Sequence, residues 1–338
     1  MMGKRLGSLL LVAAVAAGVV AAAPWAVVGA AVPAAAVPPG AAAVPALSHV
    51  FVIVEENTNF SDVFGARASE APYLNSLADA HVRHDAYYAT SHVSLGNYIS
   101  MVSGQVPQPL DHFDCPPYAA CVRPGPTIGA QLDGVGKTWR GYFESMPAPC
   151  THPTGPTDTN QTGYATRHNP FVYFSEIVND ATYCGDHDVA YETNFATDLA
   201  GVSPRNLSFI VPNTCNDGHD AACAGTQTQI QVLDGWLAAN VPPILSYVNA
   251  HPDSALIITF DEASNSDTSG CCNQAPTLQG GGHVGFVMVA PAVERAPGYR
   301  STVPGNHYSL LRSMEDAFGL PPLAEASKVD PMVDLFHG

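Results

Sequence analysis

The stretch Thr90-Ser91-His92-Val93-Ser94-Leu95-Gly96-Asn97-Tyr98 puts a hydroxyl where a loop enters a helix. Leu95, Tyr98, Ile99, Met101 and Val102 recur close to helical spacing, the hydroxyl-rich run before them suits an N-cap, and Gly104 suits a stop. Ser94 then falls in the first turn, whose unpaired N–H groups and positive dipole end favour an anion. A serine so placed can attack an electrophile while those N–H groups hold the developing negative charge. The same serine also suits a simple cap.

Three apolar runs stop abruptly in polar clusters. Residues 50–54 run into Glu55-Glu56-Asn57, residues 207–211 into a cluster containing Asp217-Gly218-His219-Asp220, and residues 255–260 into Asp261-Glu262. Such runs read as buried parallel strands, which deliver their carboxyl ends to one edge of a sheet. Ser94 belongs to that same edge. Glu55 and Glu56 point to opposite sides of their strand, so one of them faces the site. Carboxylate and amide oxygens suit a hard divalent cation such as Ca²⁺ or Mg²⁺, and an added histidine admits Zn²⁺ or Mn²⁺. A cation there would lower the Ser94 pKa, orient a phosphate and neutralise its charge. His283 and His307 follow turns near the later strand ends. Each suits a metal ligand, a phosphate contact, a proton donor to a leaving group, or a structural imidazole. His112, His168 and His187 carry weaker signals, although His168-Asn169-Pro170 lies in a long loop of residues 145–170 that suits a lid or binding loop.

The elements that would position these groups alternate. Helices are expected over 71–80, 127–135, 229–250 (one or two, broken at Pro242-Pro243) and 307–318, and strands over 50–54, 81–89, 137–144, 207–211, 255–260 and 285–290. Alternation of this kind predicts an α/β fold, a three-layer sandwich with a mainly parallel sheet.

Residues 1–30 resemble a secretion signal, with Lys4 and Arg5 ahead of an apolar, alanine-rich run; cleavage after Ala23 or near Val28-Gly29-Ala30 and retention as an anchor are the alternatives. Residues 31–46 form an Ala/Pro-rich spacer, and 47–338 are expected to be a single catalytic domain. The 13 Lys and Arg against 30 Asp and Glu give a formal charge of −17, which argues against a nucleic-acid partner and repels anions at long range. An even count of 8 cysteines behind a leader predicts disulfides. Cys115 with Cys121, Cys215 with Cys223 and Cys150 with Cys184 are the expected pairs, while Cys271 and Cys272 either bridge each other or pair elsewhere. Past residue 32 no long apolar run remains, so the secreted chain is expected to span no membrane, and it is expected to be a monomer.

Several ordered motifs resemble the bacterial phosphoesterase family of secreted acid phosphatases and phospholipases C, within the alkaline-phosphatase-like superfamily. Glu56-Asn57-Thr58-Asn59-Phe60 with Phe64-Gly65 is similar to the family's opening motif. Ser91-His92-Val93-Ser94-Leu95-Gly96-Asn97-Tyr98 is similar to its nucleophile motif, with Val93 and Gly96 in place of prolines. Residues 258–262 and 307–312 match its acidic strand end and its H-Y-S-x-L-R helix. The resemblance implies an alkaline-phosphatase-like fold, Glu56, Asn57, Asp261 and Glu262 as metal ligands, Ser94 as nucleophile and ligand, and Asn97 as a group on the transferred phosphoryl. Asp217 and His219 resemble superfamily ligands for a second metal. The resemblance implies a metal-dependent acid phosphatase acting through a phosphoserine on a small phosphate ester or phospholipid headgroup, with phosphoinositides or nucleotides as candidate substrates. A phospholipase C-type phosphodiesterase and a metal-independent serine esterase are the alternatives.

Overall fold

The computed structural model describes residues 43–160, 163–201, 204–223, 225–272 and 279–337; the expected leader and most of the spacer lie outside them. The strands among the described residues are β1 (His49–Glu55), β2 (Val82–His84), β3 (Tyr87–Tyr88), β4 (Trp139–Phe143), β5 (Asp188–Ala190), β6 (Leu207–Val211), β7 (Ser254–Phe260), β8 (Phe286–Val289), β9 (Arg300–Ser301) and β10 (Gly305–Asn306). The helices are α1 (Pro72–Ala80), α2 (Ser94–Ser103), α3 (Ile128–Gly134), α4 (Ser175–Val178), α5 (Ala181–His187), α6 (Tyr191–Leu199), α7 (Gln229–Ala250) and α8 (His307–Phe318).

Eight strands form one sheet in the order β5-β4-β6-β1-β7-β8-β2-β9, and β3 pairs with β10. β1 runs parallel to β6 and β7, with Ile53 opposite both Ile210 and Ile258. β4 runs parallel to β5 and β6, and β8 is antiparallel to both of its neighbours. Every residue of β1, β6 and β7 is buried, which is why their sequences are apolar runs without alternation. Phe51 of β1 meets Phe195 of α6 and Tyr247 of α7, whereas Phe209 of β6, opposite the next residue Val52, meets Tyr98 of α2. Successive strand side chains point to opposite faces, so α6 and α7 cover one face and α2 the other. α2 packs with α3 and α8, and α1 with α7. The mainly parallel α/β/α sandwich is the one the sequence predicts.

α2 ends where expected, at Gly104, whose φ of 66° is left-handed. The expected strand over 81–89 is instead two short strands, β2 in the large sheet and β3 beside β10. α7 also differs, running unbroken through Pro242 and Pro243. A capping box of Thr228 and Gln231 fixes its start, and Leu233, Leu237, Val241, Ile244 and Val248 are buried on both sides of the prolines. That burial offsets the roughly 3 kcal/mol an interior proline costs. α4, with four residues, and β5, with three, are too short to carry a readable period. The disulfides Cys115–Cys121, Cys150–Cys184 and Cys215–Cys223 form as expected, and Cys271 bridges its neighbour Cys272.

Candidate active site

The carboxyl ends of β1, β6 and β7 are tied together by backbone hydrogen bonds. Glu56 N–H donates to the Asp217 carbonyl at 2.8 Å, and Asp261 N–H donates to the Glu55 carbonyl at 2.9 Å. Asn57 N–H donates to Asp261 Oδ1 at 3.1 Å. Three carboxylates distant in sequence, Glu56, Asp217 and Asp261, are thereby gathered at one edge, all fully buried. Burial raises the pKa of each, and Asp261 and Asp217 push Glu56 up further by like-charge repulsion.

Ser94 opens α2 and is 2% exposed. Its Oγ donates to Glu56 Oε2 at 3.1 Å, and Tyr98 OH donates to Glu56 Oε1 at 2.6 Å. Residues four apart share a helix face, so one turn of α2 grips both oxygens of a single carboxylate. Asp114 Oδ1 accepts the N–H of Leu95 at 3.1 Å, close to the same helix start.

His168 completes the cluster. Its Nε2 lies 3.4 Å from Glu56 Oε1 and its Nδ1 3.3 Å from Asp217 Oδ2, while its ring stacks on Tyr98 at 5.5 Å. Burial, with Arg167 and His219 nearby, holds this imidazole neutral. Asn169 fixes the turn that carries it, donating through Nδ2 to Tyr164 OH at 2.8 Å and to Asp188 Oδ1 at 2.9 Å. This end of the long loop is therefore packed into the domain and does not form a surface lid.

The donor atoms of Glu56, His168 and Asp217 lie within 4.8 Å of one another. Asp217 Oδ2, Asp261 Oδ2 and His168 Nε2 are buried without a hydrogen-bond partner. Carboxylate oxygens and a neutral imidazole, mutually repelling when ionised and left with unused lone pairs, fit a divalent cation.

The remaining sequence-derived residues are placed as follows. Asn57 is partly exposed, with its amide 3.4 Å from Glu56 Oε2. Both carboxylate oxygens of Glu55 are buried without a hydrogen-bond partner, and burial together with Asp217, Glu144 and Asp234 keeps its carboxyl well above the usual range. Glu262 pairs with His92 Nδ1, and its carboxyl is pushed up to about 8 by burial, an effect the His92 bond opposes. His219 donates Nδ1–H to Asp220 Oδ1 at 2.8 Å and meets the Arg167 guanidinium at 3.2 Å through Nε2. Asn97 is wholly buried and binds the loop before Ser94: Oδ1 accepts the N–H groups of Thr90 and Ser91 at 3.0 and 2.9 Å, and Nδ2 donates to the Ser91 carbonyl at 2.8 Å. His307 donates Nε2–H to the Asp261 carbonyl at 2.6 Å and accepts from Tyr87 OH at 3.0 Å. His283 stacks between Phe60 at 4.3 Å and Tyr88 at 5.1 Å, and its backbone N–H donates to Asp267 Oδ2 at 3.0 Å.

Residues 67–321 match the Phosphoesterase family. The chain belongs to that family. This phosphoesterase is 28% identical to the phosphatidylinositol-3-phosphatase of Mycobacterium tuberculosis over 88% of its own length and 85% of the relative's. It is 28% identical to a probable acid phosphatase of Kluyveromyces lactis, over 82% of this chain and 60% of that one. Its fold matches an alkaline phosphatase superfamily protein of Vibrio parahaemolyticus with a TM-score of 0.52 at 11% identity, covering 84% of this chain and 69% of that one. The phosphoesterase is an enzyme, a phosphoric monoester hydrolase.

Two residues of its site carry little signal in the sequence. His168 and Arg167 come from a loop without periodicity, and only the close run His168-Asn169-Pro170 hints at them. Their position depends on the buried Asn169–Asp188 contact, which joins the loop to β5.

Proposed function

We propose that this phosphoesterase is an exported, metal-dependent acid phosphatase whose nucleophile is Ser94. The observation that carries the reading is the 3.1 Å hydrogen bond from Ser94 Oγ to Glu56 Oε2, at a helix start beside buried carboxylates with unpartnered oxygens. Ser94 Oγ attacks phosphorus, the ester oxygen leaves, and a phosphoserine forms that water then hydrolyses to phosphate. Glu56 orients the Ser94 hydroxyl by accepting its hydrogen bond. Glu56, Asp217, Asp261 and His168 would hold a divalent cation, with Asn57, Glu262 and His219 at its margin. Such a cation, when bound, lowers the pKa of an attacking oxygen and neutralises phosphate charge.

The other residues act through these. Asn97 shapes the Thr90–Ser91 turn that sets Ser94. His307, held neutral by burial with a pKa of about 4, orients the strand end that carries Asp261. His283 packs the rim through its stacked ring. The mycobacterial relative's name suggests a phosphoinositide monoester as substrate. Among the described residues no helix is long and apolar enough to cross a membrane. The disulfides and the leader-like residues 1–30 agree with export.

A panel of phosphomonoesters, phosphodiesters and carboxylic esters, assayed before and after chelation, tests the reading. The expected result is fastest turnover of monoesters, lost on metal removal and restored by added metal. Full activity after verified metal removal favours the serine esterase instead.

A further inference from the structure

We propose that the segment 106–118, led by Phe113, docks the enzyme on a lipid surface and so directs it to phosphate esters carried there. The proposal rests on the phosphatase reading of the Ser94 site and adds the surface that brings substrate to it. Of the six large apolar side chains exposed among the described residues, four are Val106, Leu110, Phe113 and Tyr118, and Phe113 is 81% exposed. The segment follows α2 closely and is tied back to it on both sides of Phe113. His112 Nδ1–H donates to the His92 carbonyl at 2.6 Å, and Asp114 Oδ1 accepts the Leu95 N–H at 3.1 Å. His92 and Leu95 flank Val93-Ser94, so Phe113 is mounted on the backbone that carries the nucleophile. The Cys115–Cys121 bridge and the buried Asp111–Arg123 pair hold the rest of the segment in place.

Charge and area identify the occupant. The chain has a formal charge of −17, yet every exposed residue from 106 to 120 is uncharged. Asp111 is wholly buried against Arg123, and Asp114 turns inward to Leu95. Burying a charge against hydrocarbon is costly, and here none has to be buried. Four side chains present on the order of a few hundred Å² of apolar surface, well short of the roughly 800 Å² per partner that a stable protein interface covers. A lipid surface asks for less. It needs a few apolar and aromatic side chains that enter the boundary between headgroups and acyl chains. With no Lys or Arg exposed in the segment, that binding is apolar, reversible and insensitive to salt.

The test is cosedimentation of the full, metal-loaded chain with phosphatidylcholine vesicles, at low and high salt, with melting temperature and solution mass measured alongside. The wild type is expected to bind at both salt concentrations. Phe113→Asp is expected to weaken the vesicle affinity about tenfold, the loss expected when one phenylalanine no longer enters an apolar phase. Its melting temperature should not change, because the ring is exposed. Tyr118→Ser is expected to weaken binding by a smaller factor. With phosphatidic acid, a lipid phosphomonoester, added to the vesicles, Phe113→Asp should raise the KM for that substrate and leave kcat and the turnover of soluble p-nitrophenyl phosphate as in the wild type. A wild type that does not bind vesicles, or a Phe113→Asp variant that binds them equally well, overturns the proposal. So does a wild-type dimer that Phe113→Asp converts to a monomer, since a second copy would then cover the segment. Vesicle binding that depends on Phe113 in a protein that hydrolyses no phosphomonoester would sink the phosphatase reading and leave the docking surface standing. Turnover of p-nitrophenyl phosphate without any vesicle binding would do the reverse.

Discussion

His168 sits between Glu56 and Asp217, 3.4 Å from a carboxylate oxygen of the first and 3.3 Å from one of the second. One neutral imidazole therefore joins groups that follow two different strands, and it is delivered by a loop belonging to neither. His168→Ala removes that joint and leaves Glu56 and Asp217 facing each other. The expected outcome is a loss of metal affinity of about tenfold to a hundredfold, in line with removal of a ligand or its close support. Metal content after dialysis against a metal buffer checks this. An unchanged affinity would remove His168 from the metal site.

Asn97 is predicted to matter through the turn it organises. Its Oδ1 accepts two backbone N–H groups and the Thr90 hydroxyl, all buried. Asn97→Ala leaves buried donors unpaired, at a cost of about 1–3 kcal/mol each. Both melting temperature and kcat are expected to fall. A variant that melts like the wild type but shows weakened phosphate binding would instead put Asn97 on the substrate.

Stability is predicted to fall as pH rises above the acid range. Burial pushes the Asp188 carboxyl up to about 8 against an ordinary 3.8, although the amide of Asn169 opposes this. A carboxyl whose folded pKa is raised binds its proton more tightly when folded. Its contribution is complete below about 4 and is lost as pH rises toward 8. Glu315, buried and also pushed to about 8, acts in the same direction. Asp188→Asn is expected to raise the melting temperature at pH 8 and to shrink the drop between pH 5 and pH 8, as read by calorimetric scans at both values. An unchanged drop would mean that Asp188 does not contribute to it.

His307 supplies the opposite arm. Burial lowers its pKa to about 4 from 6.5, so the folded state resists its protonation and loses stability as pH falls through that window. His307→Gln retains an amide donor for the Asp261 carbonyl without the titration. It is expected to retain metal and to flatten the stability profile between pH 6.5 and pH 4. A profile identical to the wild type would assign the acid limb to other groups.

Much of this arrangement is legible in the sequence because it is local or repeats. Residues 50–54, 207–211 and 255–260 are apolar runs ending in carboxylates, and a parallel sheet must bring such ends together. Ser94 is marked by its hydroxyl-rich approach and by Gly104. Cys115 and Cys121, or Cys215 and Cys223, are close enough along the chain to suggest their own partners. What stays hidden depends on contacts between distant segments. Arg167 and His168 reach the site only because Asn169 binds Asp188, and α7 survives two prolines only because residues on both sides of them are buried. Glu262 lies next to Asp261 in sequence, yet its carboxylate pairs with His92, a choice of direction that spacing alone does not reveal.

Capturing the reaction intermediate tests the central claim most directly. The metal-loaded protein is mixed with a phosphomonoester labelled on phosphorus, quenched in acid within a turnover, digested, and the labelled peptide identified. Ser94 is the predicted site, with no label and no turnover in Ser94→Ala, which keeps its fold because the lost side-chain hydrogen bond to Glu56 costs only about 1 kcal/mol. Turnover near the wild-type rate in Ser94→Ala, or label on another residue, would contradict the account.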